Sequence, residues 1–188
     1  CMDCHTRTDG FFDITVHSEN YTPSTISGIQ LSSEAHTLFF QHSGININLS
    51  GFLKGYALES IRELLQLYGI EDALVNMGNS SILALGHHPL ATGWRIGFEQ
   101  GFVSNKGEKQ EVLLKNECLT VSGNDSLERK HIIAPYSGKL IEGKWMVAVV
   151  TESGAVGEIL STAWFAADTY QQKLLEMEFH PRLILKLC

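Results

Sequence analysis

The sequence predicts an α+β domain in which a mixed or antiparallel sheet packs against two main helices. Three observations carry that expectation. Two stretches, near 54–68 and 154–167, repeat apolar residues with the period of an amphipathic helix. Between and after them lie many short runs rich in β-branched and aromatic residues, punctuated by Gly, Asn and Pro. Finally, 188 residues with 44% hydrophobic and 19% charged side chains suffice for one domain, 1–188, with a sizeable core.

In chain order, TDGFFDITV alternates and is rich in aromatic and β-branched residues, so it predicts the first strand. HSENYTPSTISG is polar and reads as loop, and LFFQHSGININL as a strand or pair of strands. The helix from about Lys54 to Tyr68 places Ala57, Leu58, Ile61, Leu64 and Leu65 on one face and Glu59, Arg62 and Glu63 on the other, with Gly69 as its C-terminal stop. DALVNM, SILALG, WRIGFE, EVLLK, CLTVSG, HIIAP and KWMVAVV follow as short strands. The second helix, roughly Gly154 to Ala167, carries Ile159, Leu160, Ala163 and Trp164 on its buried side, and RLILKL closes the chain as a strand. There is no internal repeat and no low-complexity linker.

A net charge of −7 argues against a nucleic-acid partner or an anionic membrane surface. No run is long and apolar enough to span a bilayer, and no signal-peptide core opens the chain. Four cysteines, Cys1, Cys4, Cys118 and Cys188, are too few and too scattered for a disulfide scaffold and leave the redox compartment open.

The opening CMDCH has the C-x-x-C-H spacing of covalent haem attachment. A c-type cytochrome of this size is mostly helical, however, and this pattern of strands is not. Zinc binding through Cys1, Cys4 and His5 lacks a fourth ligand nearby. The expectation is no haem, with CMDCH an accident of sequence.

The stretch with chemical content is NLSGFLKGYALESIRELLQLYGIEDALVNMGNSS. It reads as a strand, a glycine-containing turn, a lysine at a helix start, then the helix and another strand. Gly51 and Gly55 let backbone approach a ligand, the helix N-terminus offers free N–H groups, and Lys54 adds a mobile positive charge, a combination that suits a phosphate. A solvated lysine beside two turn glycines is the alternative that the stretch alone leaves open.

This stretch resembles the flavin transferases of the ApbE family, whose motif runs approximately D-L-G-G-I-A-K-G-Y-A, then a helix and A-L-V-N-L-G-G-D. DGFFDITV resembles the family's G-x-F-D-x-T-V. LTVSGNDSLERKHIIAPYSGKL resembles A-T-S-G-x-Y…H-I-I-D-P-x-T-G, WRIGFEQ matches a tryptophan-led strand, and AVGEILSTAWFAAD resembles A-x-x-A-D-A-L-S-T-A-x-F. The matches keep the family's order and cover nearly the whole chain. They imply an ApbE-like, T-fold-like architecture that lacks the family's usual N-terminal portion, with CMDCH at a helix end leading into the first motif.

What the resemblance implies is Mg²⁺-dependent cleavage of FAD, with FMN placed on a threonine hydroxyl of a target protein and AMP released. It implies a metal held by Glu158 and Thr162, an i, i+4 pair on one helix face, together with the backbone carbonyl of Leu53. It places FAD against Ser50, Gly51, Lys54, Gly55, Tyr56, Asn76, Gly78, Ser122, Gly123, His131 and Pro135, with Lys54, His131 and Thr162 as the catalytic candidates. His131 would contact the flavin or a phosphate; a surface histidine at a strand start is its alternative. A helix-end glutamate with a packed threonine is the alternative to the metal pair. Family members are often periplasmic or membrane-anchored, but no signal for either is seen.

The chain also departs from the family pattern. Asn48 stands for the first aspartate, Ser50 for a glycine, Asn79 and Ser80 for the G-D of G-G-D, Ala134 for the aspartate of H-I-I-D-P, and the tyrosine of S-G-x-Y falls at Ser126 or is displaced by one residue. Glu128, Arg129 and Lys130 read as a solvated charge run. Three readings follow: an active FAD:protein FMN transferase, a degenerate relative that binds FAD or a target protein without transfer, or a fragment with a structural role.

Overall fold

The computed structural model describes residues 1–98, 111–124, 126 and 131–187. The charge run at 128–130, the end of WRIGFEQ and Cys188 lie outside the described residues.

The fold is α+β. Its central sheet is fully antiparallel, in the order β11 (Leu183–Leu187), β10 (Trp145–Thr151), β7 (Glu117–Asn124), β4 (Ser81–Leu85) and β3 (Ala73–Met77). Side chains alternate across it. Leu83, Leu85 and Cys118 face helix α2 (Ser50–Leu67), and Val147 and Val149 pack with Ile159, Leu160 and Phe165 of helix α3 (Gly154–Ala166). On the opposite face Ile82, Leu119, Ala148 and Val150 meet Val112 and Leu114 of the hairpin formed by β5 (Trp94–Gly97) and β6 (Glu111–Leu114). Coverage on both faces explains why ILAL is an unbroken apolar run after Ser81: all five residues of β4 are buried.

Both expected helices form, and Ile159, Leu160, Ala163 and Trp164 are buried as their spacing predicts. Helix α2 starts four residues earlier than expected, with a kink at Gly51. At its end the Gly69 N–H donates to Gln66 O (3.0 Å) and the Ile70 N–H to Leu65 O (2.9 Å), the paired bonds of a glycine C-cap. Leu64, expected on the buried face, is 53% exposed. Arg62 turns inward instead, donating to the Glu152 carbonyl (2.6 Å) and facing Cys118 Sγ at 3.2 Å.

Four expectations need correction. TDGFFDITV is not a strand but a chain of buried turns. Thr8 Oγ1 accepts the Phe12 N–H (3.0 Å) and Asp13 Oδ1 accepts the Thr15 N–H (2.7 Å), so side chains satisfy the backbone where a ladder would otherwise be needed. ININL forms no strand either, and the strands nearby are β1 (Ile29–Ser32) and β2 (Thr37–Phe40), paired as a separate hairpin. HIIAP shrinks to the two-residue β8 (Ile133–Ala134), paired with β9 (Lys139–Leu140). Lastly, a third long helix, α4 (Thr169–Phe179), follows α3, its first turn capped by Asp168 Oδ1 accepting from Tyr170 N (2.8 Å) and Gln171 N (3.0 Å).

CMDCH lies within the short helix α1 (Met2–Arg7) and its N-cap, as the family pattern implies. Cys1, Met2 and Cys4 pack against the main core. Among the described residues no helix is long and apolar enough to cross a membrane.

Candidate active site

Two helices and two strands bring the chemistry together. Gly55 of α2 lies against the α3 start so closely that a Cβ there would sit 2.2 Å from the Gly154 carbonyl oxygen. Only glycine allows that backbone contact. It fixes the first turns of α2 beside α3 and so sets Lys54 near Glu158 and Gly51 near Thr162. Asn48 Oδ1 accepts the Ser50 N–H (2.9 Å), and the Asn48 N–H donates to Ile14 O (2.8 Å), tying the α2 start to the buried turns before it. Asparagine thus keeps one acceptor where the family motif has a carboxylate, and loses the charge and the second acceptor oxygen.

Around this junction opens a cavity of about 980 Å³, at the upper end of ordinary ligand pockets. Of the residues expected at the site, Ser50, Gly51, Lys54, Asn76, Gly78, Ser122, Gly123, His131, Pro135, Glu158 and Thr162 line it. Leu53, Gly55 and Tyr56 do not. Because α2 begins at Ser50, Leu53 lies inside the helix, its side chain is exposed, and its carbonyl runs along the helix axis. Gly55 is spent on the helix–helix contact. Tyr56 is exposed and stacks on Phe52, with ring centroids 5.5 Å apart.

The polar end of the cavity is a chain of hydroxyls and two charges. Lys54 Nζ donates to Ser80 Oγ, and among the described residues no carboxylate forms an ion pair with it. Glu158, 3% exposed, accepts from the Ser81 hydroxyl. Burial pushes its carboxyl above the ordinary range, while the Ser81 hydrogen bond and the Lys54 charge pull back. Ser122 Oγ lies 2.7 Å from Ser161 Oγ and 3.1 Å from Thr162 Oγ1. Asn76 braces the β3–β4 hairpin from below: its Oδ1 accepts the Asn79 N–H (2.9 Å) and its Nδ2 donates to Asn79 Oδ1 (3.0 Å).

The structure adds residues that were not among the expected site residues, two of them, Phe12 and Asp13, inside the G-x-F-D motif. Asp13, Phe12 and His17 come from the buried turns, and Arg95, Ile96 and Phe98 from β5 and its end. Asp13 was findable, since a carboxylate inside F-F-D-I-T has to be satisfied locally or by a ligand. Ser81 carries no such signal, because its partner Glu158 is brought to it only by the fold.

The arrangement can hold a hard cation. Glu158 supplies a buried anionic oxygen and Thr162 a hydroxyl, while among the described residues no three His, Cys, Asp or Glu converge. One carboxylate completed by phosphate oxygens and water is the donor set that magnesium prefers.

The ApbE family model matches residues 1–182. Curated proteins named FAD:protein FMN transferase are similar: that of Rhodobacter capsulatus is 26% identical over 174 residues, or 88% of this chain, and that of Klebsiella pneumoniae 25% identical over 137 residues, or 69% of this chain. The matched regions are 31% and 41% of those relatives, so this chain spans well under half their length. Among solved structures, the ApbE protein of Thermotoga maritima shares the fold with a TM-score of 0.79 at 22% identity, covering 99% of this chain and 70% of that one. The flavin transferase ApbE of Vibrio cholerae gives 0.79 at 20% identity, with 98% and 67% covered. With a family match across nearly its full length, this chain belongs to the ApbE family.

Proposed function

We propose that this chain is an FAD:protein FMN transferase domain. It binds FAD in the large cavity and moves the FMN portion onto a threonine hydroxyl of a target protein, with AMP as leaving group. The observation that carries the reading is the convergence of Lys54, Glu158 and Thr162, from two helices, on one end of that cavity. The names of the curated relatives support it.

In this reading Lys54 meets the diphosphate. Its partner is the neutral Ser80 hydroxyl, so its charge is available to an anion. The acceptor oxygen forms a bond to the FMN-side phosphorus as the bridging P–O bond to AMP breaks, and the acceptor proton leaves to a base or solvent. Glu158 and Thr162 would hold magnesium, which would supply charge neutralisation to the diphosphate and to the phosphate that departs. Ser122 holds the Thr162 hydroxyl in place. His131, on the cavity wall, contacts the flavin or a phosphate.

The test is incubation with FAD, Mg²⁺ and a threonine-bearing target protein, following FMN attachment and AMP release together. Thr162→Ala should cut turnover at least tenfold with the fold intact, because one small ligand side chain is removed. Glu158→Asp restores the shorter carboxylate of the family motif and should retain transfer. FAD binding without AMP release, with Mg²⁺ or Mn²⁺ present, would favour the non-catalytic flavin-binding reading.

A further inference from the structure

Resting on the FAD reading above, we propose that the backbone of Gly123, at the open edge of β7, recognises the donor–acceptor edge of one heterocycle of the ligand. β4 accompanies β7 only from the Ala84–Glu117 pair to the Ser81–Thr120 pair. One further bond follows, from the Val121 N–H to Ser80 O at 2.8 Å. There the β3–β4 hairpin turns away, while β7 continues to Asn124 against β10 alone.

Backbone polar groups alternate in direction along a strand. Since the Val121 N–H points toward β4, the N–H and C=O of Gly123 point to the same side, and those of Ser122 point to β10. On that side, among the described residues, Gly123 has no strand opposite it, and it lines the cavity. The position excludes a side chain: φ is +149°, and a Cβ would lie 2.4 Å from the Trp145 carbonyl oxygen. The edge is therefore bare backbone, one donor beside one acceptor.

The surroundings define what fits against it. On the sheet face away from α3, Ile82, Val121 and Met146 form an apolar floor, and Ile96 and Phe98 close over the same cluster. The hydroxyl of Ser122 lies on the other face and is engaged by Ser161 and Thr162. An apolar slot with a single mixed polar edge matches a flat heterocycle whose faces are apolar and whose rim carries an acceptor beside an N–H. Both ends of FAD have that chemistry: the pyrimidine edge of the isoalloxazine and the N1/N6 edge of adenine. Because the reading groups belong to the main chain, this specificity is insensitive to side-chain drift.

The experiment titrates the whole protein with FAD, with N3-methyl-FAD and with FAD carrying N6,N6-dimethyladenine, and follows the Gly123 amide resonance in ¹⁵N-labelled protein. The expected result is that one of the two methylated analogues binds tenfold or more weakly than FAD, and that FAD moves the Gly123 resonance. Loss with N3-methyl-FAD assigns the slot to the isoalloxazine, and loss with the dimethyladenine analogue assigns it to adenine. Unchanged affinity for both analogues, or a Gly123 resonance that FAD leaves in place, overturns the inference while the FAD reading stands. Failure of FAD itself to bind overturns that reading, and the inference with it.

Discussion

Asp13 and Glu158 are both buried carboxylates on the wall of one cavity, 8% and 3% exposed, yet the fold treats them differently. Asp13 is surrounded by donors. Its Oδ1 accepts from the Thr15 N–H (2.7 Å) and the Thr15 hydroxyl (2.6 Å), its Oδ2 accepts from Tyr21 Oη (3.0 Å), and His5 Nε2 stands 3.6 Å away. Burial and the Asp13 charge in turn hold the Tyr21 hydroxyl well above its usual range, which keeps it a donor. Glu158 has the single hydroxyl of Ser81 and the more distant charge of Lys54, and its carboxyl is pushed upward. A carboxylate whose lone pairs are already taken holds a chain segment. One left short of donors has capacity for a ligand. The contrast gives Asp13 the bonding of a carboxylate that organises the buried turns and leaves Glu158 with lone pairs open to a ligand.

The largest expected effect tests the first half of that contrast. Asp13→Ala leaves the buried Thr15 hydroxyl and backbone N–H and the half-buried Tyr21 hydroxyl without their acceptor, so it should lower stability by about 2–4 kcal/mol. Urea unfolding measures it. A loss below about 0.5 kcal/mol, the range of an ordinary surface change, would mean that Asp13 organises nothing. The effect should also reach the site, because Asn48, at the start of α2, hangs from Ile14 of the same turns.

Next in size is Lys54, the charge nearest Glu158. Lys54→Ala should weaken FAD binding by about 1–3 kcal/mol, the worth of a hydrogen bond to a charged group, while stability changes little because its partner is a lone serine hydroxyl. Flavin fluorescence titration reads the affinity. Unchanged affinity would remove Lys54 from the diphosphate and leave Glu158 as a buried charge without a role.

The same contrast marks what the sequence made legible. That Lys54, Glu158 and Thr162 line one cavity was legible because all three fall inside contiguous motifs, and helical spacing alone puts Glu158 and Thr162 on one face. Ser81 was not, since its meeting with Glu158 depends on the β4–β7 register and on how α3 packs over the sheet. Arg95 and Phe98 were hidden for the same reason: the β5–β6 hairpin docks by tertiary contact, and no local pattern announces where. DGFFDITV alternates like a strand, and only the capture of backbone N–H groups by Thr8 and Asp13 makes it turn. Helix α4 has a weak local signal: Asp168 caps it, but of its own residues only Leu175 is buried, while Tyr170, Leu174 and Met177 are exposed. CMDCH is the reverse case: its cysteines form a conspicuous pattern, but the structure uses them as core packing and uses His5 beside Asp13.

The smallest expected effect is also the sharpest, because its sign is opposite to that of Asp13. Glu158 has a folded carboxyl raised above the ordinary 4.5. The folded state therefore binds that proton more tightly than the unfolded chain does. The favourable contribution is complete below the unfolded value and is lost as pH rises through the folded value. At neutral pH the charged Glu158 works against folding. In EDTA, Glu158→Gln should then leave stability near that of the parent at about pH 4 and raise it by about 1 kcal/mol at about pH 8, the gain expected when a poorly compensated buried charge is removed. In the presence of Mg²⁺ and FAD the Glu158→Gln advantage should reverse, since the parent gains ligand-linked stabilisation that the variant lacks. Thermal unfolding across the two pH values, with and without Mg²⁺ and FAD, measures all of these. A Glu158→Gln variant that is less stable than the parent at high pH in EDTA would show that Glu158, like Asp13, is there to hold the fold.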